Sequence, residues 1–274
     1  MRIRISHQTT YAFAPPARWV IQNLRLTPRS FESQYVLRWR VGVDVDCALR
    51  HSEDSLGNIV HAFSRQGPIE RLTVSAVGEV AVSDAVGVVR GAVEPLPAAM
   101  FLRSSPLAQA NGVLREFAQD AVSPASDPIE RLHRLMTAIH QAMAFDGEAA
   151  ETKESAGEAF ALRRGGARDF AHVFIACARW LGAPSRYVSG YLAPRDAPES
   201  AYAPQSLFAW AEAETPTLGW IAFDPVHNCC ADDRYVRVAV GFDSNGAAPF
   251  RAAQSGGGET VGGTLAVDRG GEQA

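Results

Sequence analysis

The sequence predicts an α+β protein in two parts, a β-sandwich-like module followed by a core in which helices pack on an antiparallel sheet. Three observations carry that prediction. Roughly the first 85 residues alternate apolar and polar side chains with a period of two. From about residue 106 the period becomes 3.6, the repeat of an amphipathic helix. Beyond Pro184 the chain returns to short apolar runs separated by turn residues.

Taken in order, "RIRISHQTTYAF" (2–13), "WVIQNLRLTPR" (19–29), "QYVLRWRVGVDVD" (34–46), two arms within 47–66 and "RLTVSAVGEVAVS" (71–83) are the strands of the first module. "DSLGN" (54–58) is the turn cluster between the two arms. Composition changes over 86–105, which contains Pro95 and Pro97. The division adopted is a module at 1–88, a linker at 89–105, a core at 106–250, and a Gly-rich C-terminal tail at 251–274 with one possible last strand, "ETVGGTLAVD".

The core opens with a helix over "SPLAQANGVLREFAQDAV" (105–122). In "SDPIERLHRLMTAIHQAMAF" (126–145), Asp127 can cap and Pro128 suits the first turn. Ile129, Leu132, Leu135, Met136, Ile139 and Met143 form its apolar stripe, which leaves His133 and His140 on the wetter face. Ser155 and Glu158 have the spacing of a capping box, opening a helix that stops at Gly165–Gly166. A helix of about four turns starts at Ala167 and ends at Gly182, and Pro184 leads into the strand "RYVSGYL". After a polar loop (193–205) come strands at 207–213 and 219–225 joined by "ETPTL", and "DDRYVRVAVGFDS" is a further strand.

A chain of 274 residues with 47% hydrophobic and 20% charged residues has the balance of a soluble globular protein. Its net charge of −4 offers no general affinity for nucleic acid or for an anionic membrane. No apolar run approaches a membrane span. Cys47, Cys177, Cys229 and Cys230 have neither disulfide-framework nor zinc-site spacing, so no metal and no cofactor are expected. His7, His51 and His61 are scattered and read as surface or satisfied histidines. The opening residues alternate and lack a basic-then-apolar leader, so a cytoplasmic bacterial protein is expected.

"RRGGARDFAH" (163–172) has the form of a helix start that carries a nucleophile: glycines before it, Asp169 in the first turn, His172 at the edge. A helix N-terminus against an antiparallel sheet suits thiol catalysis, because dipole and free N–H groups favour a thiolate. A histidine on a neighbouring strand then takes the proton, and a third group orients that histidine. At the nucleophile's position stands Ala167. If "ETPTL" is a five-residue connection, Phe208 lies directly across from Asp224, an orienting carboxylate facing a phenyl ring.

"RRGGARDFAHVFIACARWLGAPSRYVSGYL" resembles the nucleophile region of bacterial transglutaminase-like proteins, roughly R-G-V-C-Q-D-F-A-H. "SLFAWAEAETPTLGWIAFDPVHN" resembles their S-H-A-W…G-W…F-D-P-T-N segment. "DDRYVRVAVGFD", "LRLTPR" and "DSLGN" are similar to further parts of the family, so the likeness covers nearly the whole chain. It implies a papain-like, transglutaminase-type core behind the N-terminal β region. It also implies that the family's catalytic Cys falls on Ala167 and its His on Phe208, with only Asp224 retained. Arg168 replaces a Gln, while Asp169, Phe170, Ala171 and His172 match the flanking motif.

Losing one member of such a triad already costs on the order of 10⁴–10⁶ in turnover, and further losses add little because the members act together. Two losses argue for a natural pseudoenzyme. The expected function is non-catalytic binding or scaffolding in the old cleft. Arg168, Asp169, His172, Trp210 and Trp220 are the binding candidates, the two tryptophans alternatively being sheet core. The ligand class is a peptide, an amide-containing molecule or a protein partner, and the resemblance points to an ATP-grasp-type enzyme or an active paralogue. A different reading takes "HNCCADD" (227–233) as relocated machinery, an active amide hydrolase or transferase using Cys229 or Cys230 with His227. A third makes the chain an assembly subunit.

Overall fold

The computed structural model describes residues 1–123, 125–147, 154–194, 207–256 and 259–269, so most of the polar loop at 193–205 lies outside the described residues. The first module is built on four antiparallel strands, β1 (Arg2–Thr27), β2 (Gln34–Val43), β3 (Arg50–Glu53) and β4 (Ile59–Val82). Where alternation suggested separate strands at 2–13 and 19–29, β1 runs through both, and β4 is as continuous. The β1–β4 register shifts between Ala12 and Ala17 and again between Ala17 and Trp19. Such irregularities bend a ribbon. One core cluster gathers Phe13, Val20, Leu24, Phe63, Leu72 and Val74, from both halves of both strands. The module is sandwich-like because one bent sheet closes over its own apolar face.

A short strand β5 (Val88–Val89) leads from the module toward the core. Helix α1 (Gly112–Val122) starts later than the periodicity suggested. The Asn111 side chain accepts the Leu114 N–H, a cap that marks the start there. Helix α2 (Pro128–Ala142) is capped by Asp127 on the Glu130 N–H, as its sequence predicts. Strand β6 (Ala144–Phe145) precedes α3 (Ala156–Leu162), which ends at Arg163 in a left-handed conformation (φ 55°) rather than at the glycine pair. Strand β7 (Arg164–Gly165) pairs with β6, and α4 (Ala167–Trp180) follows. Then come β8 (Ser185–Leu192), β9 (Phe208–Thr215), β10 (Gly219–Asp224), β11 (Cys229–Cys230) and β12 (Tyr235–Gly241). Their sheet has the order β11-β10-β9-β8-β12, with β5 on β10. The possible last strand has company: β13 (Phe250–Ser255) and β14 (Glu259–Arg269) both pair antiparallel with β1. The residues read as a tail therefore complete the first module's sheet.

Strand pleat explains the composition of "FAWAEA" in β9. Ala211 pairs with Tyr187 on one side and Phe223 on the other. Tyr187 contacts His172 and Phe223 stacks on Phe174, both from α4. Ala209, Ala211 and Ala213 thus share the face that α4 covers, where small side chains let the helix approach. Burying an aromatic side chain such as Phe174 or Phe223 contributes about 1.5–3 kcal/mol. Phe208, Trp210 and Glu212 alternate onto the other face.

The module grips the core through polar side chains that imitate a strand. The Gln34 carboxamide accepts from the Arg237 N–H and donates to its carbonyl, at 2.8 and 2.9 Å. The Asn58 carboxamide does the same at Val240, at 2.8 Å both ways. Both clasp β12, the edge strand of the core sheet, which would otherwise expose an unpaired ladder. The linker is equally tied down: Glu94 pairs with Arg186, and Phe101 is buried against Trp220 and Phe242.

Candidate functional site

At the start of α4, the Asp169 carboxylate accepts the Gly166 N–H at 3.0 Å, closing the first turn. A Cβ on Gly165 would crowd that carboxylate, so only glycine fits there. Arg168 pairs with Asp169 at 2.9 Å. Ala167 is the first helical residue and packs at the border of the main core cluster. His172 is fully buried; its Nε2 accepts the Ser244 N–H at 3.0 Å. Burial, with Arg168 and Arg179 nearby, pushes its pKa down to about 3. It is a neutral structural residue.

The hairpin register differs from the predicted one. Strands β9 and β10 extend to Thr215 and Gly219, leaving 216–218 as the connection, and Ala211 pairs with Phe223. Phe208 is therefore not directly across from Asp224; that position belongs to Trp210. A shift of two residues keeps the face, so Phe208 and Asp224 remain diagonal neighbours on it.

Asp224 is fully buried. Its Oδ1 accepts the N–H groups of Val226 (2.8 Å) and His227 (3.3 Å). Its Oδ2 accepts His227 Nδ1–H and the Tyr235 hydroxyl, each at 2.6 Å. Burial and the Asp224 charge raise the Tyr235 phenol, so it stays a donor. The His227 ring lies 5.5 Å from Phe208. Helix α2 fastens the turn: Thr137 donates to the Asn228 side chain at 3.0 Å, and His140 Nδ1 donates to the Val226 carbonyl at 3.1 Å. His140 is a positioning contact that helical periodicity alone had assigned only to the wet face, and His133 packs edge-on against Phe223.

Both tryptophans belong to the sheet. Trp210 is fully buried, edge-on to Tyr235 at 5.4 Å, and a Cβ on Gly190 would collide with its ring. Trp220 is buried beneath the Arg186 guanidinium, 3.8 Å away. The thiols nearby are not activated. Burial raises Cys229, Asp224 and Asp232 add to the rise, and its Sγ lies 3.6 Å from the Tyr235 hydroxyl. Burial pushes Cys230 up to about 11.

Topology brings the two halves to one end of the core. The turn at 181–184 makes α4 antiparallel to β8, whose Ser185 pairs with Ala213 and whose Gly190 pairs with Phe208. The 14 residues of α4 span about 21 Å. The chain thus enters α4 at the end of the sheet where β9 begins and β10 finishes. Ala167, Phe208, Asp224, His227 and Tyr235 belong to that end.

A helix entering the end of an antiparallel sheet beside a buried carboxylate defines the cysteine-protease-like class of folds. The model for the bacterial transglutaminase-like N-terminal region matches residues 3–81, and that of the transglutaminase-like superfamily matches 115–225. The chain belongs to the transglutaminase-like superfamily. It is 29% identical to an uncharacterized protein of Mycobacterium leprae, over 94% of this chain and 95% of that one. An uncharacterized protein of Mycobacterium tuberculosis is 27% identical, over 91% and 86%. A crystal structure of a proposed cysteine protease from Cytophaga hutchinsonii superposes with a TM-score of 0.77 at 20% identity, over 98% of this chain and 90% of that one, which shows a common fold. Among the described residues no helix is long and apolar enough to cross a membrane.

Proposed function

We propose that this chain is a catalytically inactive transglutaminase-like protein that works as a binding or scaffolding subunit. The observation that carries the reading is the methyl group of Ala167 at the first position of α4, where thiol chemistry needs a nucleophile. Phe208, at the other reactive position of the family pattern, cannot move a proton. The raised thiols of Cys229 and Cys230 argue against a relocated nucleophile, since the thiolate is the reactive form. Trp210 and Trp220 are sheet core rather than stacking surface and Phe208 is buried beside them, which leaves His227 and the α4 start to meet a ligand. That ligand is a peptide segment of a protein partner, an amide-forming enzyme or an active paralogue. All four cysteines are free, as in a reducing cytoplasm, which is where this reading places the protein.

The test is turnover. Purified protein is assayed for amide hydrolysis and amide transfer beside the double variant Ala167→Cys/Phe208→His. The parent is expected to be inert, and activity or a fast thiol is expected once the nucleophile is restored in the double variant. Turnover by the parent that vanishes on alkylating Cys229 or Cys230 would overturn the proposal.

A further inference from the structure

Phe208 leaves Asp224 with no histidine on β9 to orient, yet the carboxylate is not idle. We infer that His227 is the proton acceptor of this site, held by the same carboxylate, so that the chain lacks a nucleophile but not a base.

Four observations support the assignment. The His227 Nδ1–H to Asp224 Oδ2 bond is 2.6 Å, and the Asp224 side is fully buried. That bond fixes the tautomer: with the proton on Nδ1, Nε2 carries a lone pair. The turn is rigid, since Asp224 Oδ1 holds two of its N–H groups and Thr137 and His140 hold it from α2. Finally, the imidazole is 38% exposed, Nε2 has no protein partner among the described residues, and the ring sits beside Phe208. Among the described residues the titratable group bonded to the ring is Asp224, which also holds the Tyr235 hydroxyl; Cys229 reaches that hydroxyl, and His140 from α2 bonds the neighbouring Val226 carbonyl.

The inference rests on the reading above only for the missing nucleophile, and it makes a different demand: Ala167→Cys alone should create a reactive pair. Nε2 of His227 takes the S–H proton, the thiolate carbon–sulfur bond forms with iodoacetamide, and the carbon–iodine bond breaks, releasing iodide. The rate of alkylation at residue 167 is read by peptide mass against pH in three variants, each checked for parental circular dichroism and Tm. Ala167→Cys is expected to react at about pH 6 tenfold or more faster than Ala167→Cys/His227→Gln, and adding Phe208→His should change the rate by less than about threefold. Equal rates with and without His227 would overturn the assignment. So would a slow Ala167→Cys beside a fast Ala167→Cys/Phe208→His, or slow reaction in both. A measurement on the unaltered chain stands independently of any variant's folding: ¹⁵N-imidazole spectra should show His227 as the Nδ1–H tautomer, and the Nε2–H tautomer would overturn it. Turnover by the parent would overturn the pseudoenzyme reading and leave this comparison of variants intact.

Discussion

Two fully buried carboxylates lie on neighbouring strands of the core sheet, and their surroundings differ in kind. Glu212 on β9 faces two guanidinium groups, Arg186 Nε at 2.6 Å and Arg237 Nε at 2.8 Å. Arg186 is in turn held by Glu94 of the linker and covered by Trp220. Burial would raise Glu212, but Arg237 and Arg186 outweigh it and hold its pKa at about 2. Asp224 on β10 instead receives two backbone N–H groups, an imidazole and a phenol. The first arrangement locks charge between permanent cations and ties linker to sheet. The second surrounds charge with hydrogen-bond donors, one of which reaches solvent. Burial of a carboxylate does not make a site; the identity of its donors does.

Glu212→Gln should have the largest effect, because it takes the anion from the buried Arg237 guanidinium and leaves Arg186 with Glu94 alone. About 3–5 kcal/mol of stability should be lost in urea titration, and a loss below ~1 kcal/mol would mean the network is not the lock described. Acid should act next. His172 falls from 6.5 to about 3 on folding and His7, buried against Tyr191, from 6.5 to about 4. The unfolded chain therefore binds protons first, so their contribution is complete above 6.5 and is lost as pH falls through that window. Glu212, lowered from 4.5 to about 2, adds its loss below 4.5. Urea titrations across this range should show falling stability, and a His172→Gln variant should show a shallower slope.

Asp224→Asn should cost less than the change at Glu212, about 1–3 kcal/mol, since it leaves hydrogen-bond donors rather than cations unsatisfied. It should also release the His227 tautomer in imidazole spectra, which no change at Glu212 should do. Tyr235→Phe removes one of the four donors and should cost about 1 kcal/mol by thermal denaturation. Arg134→Ala, which breaks an exposed pair with Glu130 on α2, should cost ~0.5 kcal/mol or less. An effect there as large as at Tyr235 would erase the distinction between buried and exposed donors.

Much of the core was legible because its signals are local. The cap at Asp127, the Ser155–Glu158 box, the end of α4 at Gly182 and the alternation along β9 depend on a few neighbouring residues. The same holds for Asp169 closing the α4 start. The hairpin register was misjudged by two residues because loop length cannot be counted until the strands' ends are known. The Asn111 cap is masked in the sequence because the apolar period continues upstream of it. His227 stood out only beside its cysteines, and nothing in "DPVHN" shows its ring folded back onto Asp224.

By itself the sequence pointed to the family, to the main helices and long strands, and to Ala167 and Phe208 at the start of a helix and of a strand, since each is a matter of residue identity and short-range periodicity. Three-dimensional packing decided the rest. The bend of β1 and β4, the return of β13 and β14 to β1, the clasps of Gln34 and Asn58 on β12, and the choice of His227 as partner for Asp224 all join residues distant along the chain or across a turn. Such contacts are selected by shape, burial and unsatisfied hydrogen-bonding groups, and those exist only once the sheet has formed.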